Sequence, residues 1–100
     1  MNNGVRYPYL RVGNDRNNVR YLGYKIALSP CEYEIIKILY CVDEPLVKRE
    51  IARRAGGELG VSEKGVAVHI CSVNKKIALF GGRRLVEFAI GKGYFLNPDM

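Results

Sequence analysis

Apolar residues recur along this chain with changing period, and each change of period marks an element. Between Tyr9 and Leu28 they alternate: Leu10 and Val12, then Val19 and Tyr21, then the run from Tyr24 to Leu28. Asn14-Asp15-Arg16-Asn17-Asn18 and Leu22-Gly23 separate these segments. Short period-two runs divided by Asn, Asp and Gly predict antiparallel strands joined by tight turns. The expected result is a small meander over residues 9–28, with Tyr7, Tyr9, Tyr21 and Tyr24 covering one face.

From Ser29 the spacing becomes helical. Ser29-Pro30-Cys31-Glu32 is a helix start, with Ser29 as N-cap, Pro30 in the first turn and Glu32 closing a capping box. Cys31, Ile35, Ile38, Leu39 and Val42 form the expected inward stripe, and Tyr33, Ile36 and Tyr40 flank it, facing the sheet. Asp43-Glu44-Pro45 ends the helix, because the residue before a proline is driven out of the helical region. A shorter helix is expected over residues 47–55, with Ile51, Ala52 and Ala55 inward and Lys48, Arg49, Arg53 and Arg54 outward. The stretch Gly56-Gly57-Glu58-Leu59-Gly60 reads as a flexible connection.

A third and longest helix is expected over residues 62–80. At about 100° per residue, Val66, Ile70, Val73, Ile77 and Phe80 share one apolar stripe, while Lys64, Val68, Cys71, Ser72 and Lys75 lie opposite. Ser62 supplies the cap, and Gly81-Gly82 a left-handed stop. Two helices joined by a short glycine-containing turn make a helix-turn-helix pattern. Two apolar runs follow within residues 84–96, parted by Gly91-Lys92-Gly93, which predicts a β-hairpin. Residues 1–6 read as a disordered lead-in, and residues 7–98 as a single domain without internal repeat or linker.

Composition narrows the function. The chain has 100 residues, 48% of them apolar, enough for one modest core. No apolar run approaches a membrane span and the N-terminus lacks a signal-peptide core, so the expected location is cytoplasmic. The net charge of +6 is uneven: residues 46–100 hold ten Lys/Arg against five Asp/Glu, and residues 1–45 hold six against five. A basic half suits a phosphate backbone or an acidic protein. Cys31, Cys41 and Cys71 match no zinc or redox spacing and His69 is the single histidine, so reduced thiols and no cofactor or metal are expected. No nucleophile stands at a plausible spacing from a base, and no glycine-rich phosphate loop follows a strand, which argues against an enzyme and a small-molecule substrate.

Three ordered motifs then carry a resemblance. Leu28-Ser29, Glu32-Tyr33 and Ile35-Ile36 followed by Leu39 resemble the first-helix signature of the OmpR/PhoB-type winged-helix domain, the effector half of many bacterial response regulators. Val66-Ala67-Val68-His69-Ile70 resembles its recognition-helix signature, and Gly91-Lys92-Gly93-Tyr94 its wing. The likeness runs from about Tyr9 to Leu96. It implies an α+β winged helix-turn-helix: a four-stranded N-terminal antiparallel sheet, a three-helix core and a C-terminal β-hairpin wing.

The resemblance further implies a transcriptional regulator of a two-component system binding double-stranded DNA. Helix 62–80 would enter the major groove, and the wing at 91–94 would meet a neighbouring groove or backbone. Carried over by position, Lys64, Val68, His69, Cys71, Ser72 and Lys75 stand where the family touches DNA from its helix, and Lys92 and Tyr94 stand at the wing. Lys76, Arg83 and Arg84, with Arg53 and Arg54, add charge for the backbone. A homodimer on direct repeats and contact with a receiver domain or RNA polymerase are further partners the resemblance leaves open.

Departures from the family pattern shift the balance. Cys71, Ser72 and Asn74 stand where arginines are usual on the recognition helix, Ile90 stands where one is usual before the wing glycine, and Gly56 replaces a tryptophan near the end of the second helix. The missing arginines would be bidentate donors, each worth about 1–3 kcal/mol of base discrimination. Val68, apolar and outward, fits either a thymine methyl or a protein interface. His69, about 60° from the core stripe, fits either a phosphate contact or a hydrogen bond at a helix boundary. The alternative reading is therefore a degenerate winged helix serving as a protein-interaction or dimerisation module.

Overall fold

The structure, a computed structural model, describes residues 7–56, 60–81 and 84–98. The lead-in expected at 1–6, the centre of the connection at 57–59, and Gly82 and Arg83 lie outside the described residues. The alternating N-terminal segments pair as strands β1 (Leu10–Val12), β2 (Val19–Tyr21) and β3 (Tyr24–Lys25), in the order β1-β2-β3, all antiparallel. Leu10 pairs with Tyr21 and Val12 with Val19, so alternate side chains meet on the buried face while Arg11 and Arg20 face water. The described residues thus give a three-stranded sheet where four strands were implied. Tyr7, Tyr9 and Tyr21 are buried and meet edge to face. Tyr24 departs from the expected tyrosine face: it is 60% exposed and its ring lies 5.4 Å from that of Phe80.

Helix α1 (Pro30–Cys41) starts on a complete capping box, the Glu32 amide donating to Ser29 Oγ (3.2 Å) and the Ser29 amide to a Glu32 carboxylate oxygen (2.9 Å). Its buried face is broader than the expected stripe. Ile35, Ile36 and Leu39 are fully buried, joined by Tyr33 and Glu32, while Cys31, Ile38 and Val42 are half-buried and Cys41 exposed. The reason is that α1 is covered by the sheet and by two helices at once. Tyr33 donates its hydroxyl to the Gly13 carbonyl (2.8 Å), and Tyr40 stacks on Tyr7.

Helix α2 (Lys48–Ala55) begins at Val47 without a side-chain cap and buries Ile51, Ala52 and Ala55. Helix α3 (Glu63–Ala78) is capped by Ser62, whose Oγ accepts from the Gly65 amide (3.0 Å), and buries Val66, Ile70, Val73 and Ile77. Phe80 does not continue that stripe. The helix has already closed at Ala78, and Phe80 sits in the following turn, 39% exposed against Tyr24.

The wing consists of β4 (Val86–Ala89) and β5 (Gly93–Leu96), antiparallel, with Ala89 opposite Gly93. Leu46, in the turn between α1 and α2, exchanges two backbone hydrogen bonds with Tyr94 (2.9 and 2.7 Å) and so fastens the wing to the helical core. Gly93 serves this contact as well as the hairpin. Its φ is +118°, and a Cβ there would stand 2.3 Å from the Leu46 carbonyl, a place no other residue can occupy. Leu85, Val86 and Leu96 are buried in the core.

Candidate nucleic-acid interface

The outward face of α3 follows from its own sequence. With Val66, Ile70, Val73 and Ile77 fixed in the core, residues three to four positions apart on the far side line up, and Lys64, Val68, Cys71 and Lys75 are all exposed. Val68 is 62% exposed with no cover from any other element. A groove of about 470 Å³ runs between this helix and the wing, lined by Ala67, Cys71, Lys75, Arg84, Phe88 and Tyr94 among others. A shallower hollow of about 430 Å³ follows Ala67, Val68, Cys71 and Lys75 along the helix itself.

Several expected site residues stand elsewhere. Ser72, expected on the outward face, is half-buried and donates its hydroxyl to a Glu32 carboxylate oxygen (2.7 Å). Lys76 turns the same way, its ammonium meeting Glu32 at 2.6 Å and the Ala27 carbonyl at 2.9 Å. Helical periodicity places both side chains correctly about α3, but the first turn of α1 reaches round to them. Glu32 is 4% exposed. Burial by itself pushes its carboxyl pKa up, yet the Lys76 hydrogen bond and charge, the Ser29 amide and the Ser72 hydroxyl together hold it below the usual carboxylate range.

Lys92 is exposed on the wing turn but lines a separate hollow with Asp43, Glu44 and Pro45, so it does not share the groove that holds Lys75 and Arg84. Tyr94 is half-buried in the groove with its ring 5.0 Å from that of Phe88. His69 is half-buried beside Gly65 at the edge of the outward face. Arg83 lies outside the described residues. On α2, Arg53 and Arg54 both bind Glu50, at 2.5 and 2.6 Å, and hold its carboxyl down to about 2. Their charge is therefore partly matched.

Sequence reasoning missed Asn74, which replaces an expected arginine. Its Oδ1 accepts from the Leu85 and Val86 amides (3.0 Å each) and its Nδ2 donates to the Val86 carbonyl (3.1 Å). The signal was present: an asparagine inside a helix is unfavourable unless a tertiary partner compensates it. Ala67 and Phe88, which line the groove, were also not singled out. Phe88 reads as a core residue in an apolar run, but it points to the free side of the hairpin and is 55% exposed.

No family model matches the chain. It is 27% identical over 85 residues to the transcriptional activator protein PfeR of Pseudomonas aeruginosa, covering 79% of this chain and 27% of that protein. The chain thus spans about a quarter of the length of that curated relative. Among solved structures, the AdeR response-regulator DNA-binding domain, determined in complex with an intercistronic region, superposes with a TM-score of 0.75 at 21% identity. That match covers 91% of this chain and 95% of the AdeR domain. The C-terminal DNA-binding domain of RstA from Klebsiella pneumoniae gives a TM-score of 0.74 at 17% identity, covering 94% and 88% of the two chains. A redox sensor from streptococci, of a family evolved from two-component response regulators, gives 0.78 at 21% identity, covering 97% of this chain and 43% of that one. The chain has the winged-helix fold of response-regulator effector domains.

Proposed function

We propose that this winged-helix domain of OmpR/PhoB type is the DNA-binding part of a bacterial transcriptional regulator, with α3 in the major groove and the wing beside it. The observation that carries this reading is the free outward face of α3, with Lys64 and Lys75 exposed and Lys75 sharing one groove with Arg84 of the wing region. A helix with that profile fits the major groove, which is about 12 Å wide. The basic half of the chain supplies charge for phosphates, and the structural likeness to AdeR and RstA domains supports the same use. Lys64, Val68, Cys71, Lys75, Arg84 and Tyr94 are the proposed contacts. His69 stands at their edge and Lys92 approaches the backbone from the wing tip. Ser72 and Lys76 instead position α3 through Glu32.

Fluorescence anisotropy with duplex DNA across a salt series tests the proposal. Counterion release predicts that log affinity falls linearly with log salt, by about 0.9 for each phosphate neutralised. Absence of binding at low salt, or a flat response, overturns it.

A second reading has its own support in the exposed apolar residues Val68, Phe88 and Ile90, the last 92% exposed. On this reading the same face binds protein. Val68→Lys separates the two: on the protein reading it abolishes self-association or partner binding and leaves any DNA affinity intact or improved, whereas loss of DNA binding with no effect on self-association overturns that reading.

A further inference from the structure

We infer that the recognition face reads thymine methyl groups, so that the preferred duplex carries thymine where the centre of α3 meets the bases; this rests on the DNA-binding reading above. Of the polar side chains along the middle of α3, Asn74 and Ser72 are already engaged, and His69 is half-buried beside Gly65 at the edge of the face. Asn74 has both ends of its amide bound to Leu85 and Val86, and Ser72 gives its hydroxyl to Glu32. What remains outward between Lys64 and Lys75 is Ala67, Val68 and Cys71, all exposed and together lining a shallow hollow.

Such a surface cannot donate two hydrogen bonds to a guanine edge, and it cannot form the paired bonds by which asparagine or glutamine reads adenine. It can bury an apolar group, and the one apolar group in the major groove is the C5-methyl of thymine. The small side chains of Ala67 and Cys71 let the helix come close, and Val68 offers two methyls at the centre of the contact. Lys64 and Lys75, at the two ends, lie toward the phosphates. The surface is thus cationic at its ends and apolar in the middle, which matches a run of thymine methyls flanked by the two strands.

The test begins with selection of a preferred duplex from a random pool by the whole chain. Its affinity is then compared with that of the same duplex synthesised with deoxyuridine in place of thymidine, which removes only the methyl groups. Each methyl buried against Val68 or its neighbours is expected to account for about a fourfold loss, the equivalent of one buried methylene. Val68→Ala should show a smaller ratio of affinities between the thymidine and deoxyuridine duplexes than the unsubstituted chain does. Salt-dependent binding with equal affinity for the two duplexes, or a selected site without thymine, overturns this inference and leaves the DNA-binding reading standing. Absence of salt-dependent binding to either duplex overturns both.

Discussion

Asn74 binds Val86 through both ends of its side-chain amide, Oδ1 accepting from the Val86 N–H and Nδ2 donating to the Val86 carbonyl, so that one residue of α3 serves as a strand neighbour for the first strand of the wing. The relative position of helix and wing, and with it the groove that holds Lys75 and Arg84, depends on this pair.

Removing the clamp should be costly. Asn74→Ala leaves the Leu85 and Val86 amides and the Val86 carbonyl without their partner, and is expected to destabilise the domain by about 2 kcal/mol or more. Asn74→Arg, which supplies the arginine that the resemblance to OmpR/PhoB-type domains implies here, is expected to lose stability too and to gain no DNA affinity. Urea denaturation and anisotropy titration check both.

The cations divide into two groups that charge alone does not distinguish. Lys64→Ala and Lys75→Ala should each lower the salt slope of DNA binding by about 1 and leave stability within about 0.5 kcal/mol. Lys76→Ala should do the reverse, lowering the melting temperature through its lost contact with Glu32 while leaving the slope unchanged. Parallel salt titrations and thermal melts separate these outcomes.

Glu32 gives the fold an acid limit. Its folded pKa lies below the unfolded value, so the folded state binds fewer protons as pH falls through the carboxylate range. The stabilisation is present above the unfolded pKa and is lost as pH drops through the folded one. Thermal melts from pH 7 to pH 3 should show this decline, and Glu32→Gln should flatten it. At pH 7 the same variant should cost about 1.5–3 kcal/mol, the range for hydrogen bonds to a charged group.

Gly93→Ala should detach the wing. It combines a left-handed φ with a Cβ driven into the Leu46 carbonyl, and a loss of about 3 kcal/mol or more is expected. Hydrogen exchange at the Leu46 and Tyr94 amides, which bond each other's carbonyls, should accelerate in the variant before other core amides do.

Much of this architecture is written locally. Ser29, Pro30 and Glu32 specify a helix start because the bonds they make lie within one turn, and the period of Val66, Ile70, Val73 and Ile77 specifies which side of α3 is dry. Lys64, Val68, Cys71 and Lys75 follow as the wet side by the same geometry. A period states direction about one helix axis. It carries no knowledge of what a distant segment brings to the rim of that face.

That knowledge belongs to the tertiary structure. Glu32, forty residues before Ser72, takes its hydroxyl and the Lys76 charge; the wing takes the Asn74 amide; Lys92 lines another hollow with Asp43 and Glu44; Leu46 excludes any side chain at Gly93. The sequence by itself determined the elements, their order and the basic half of the chain, because these rest on neighbours a few residues apart. Which polar groups stay free for a ligand was decided only by packing, because each buried or half-buried hydrogen-bonding group must find a partner, and here the partners come from far along the chain.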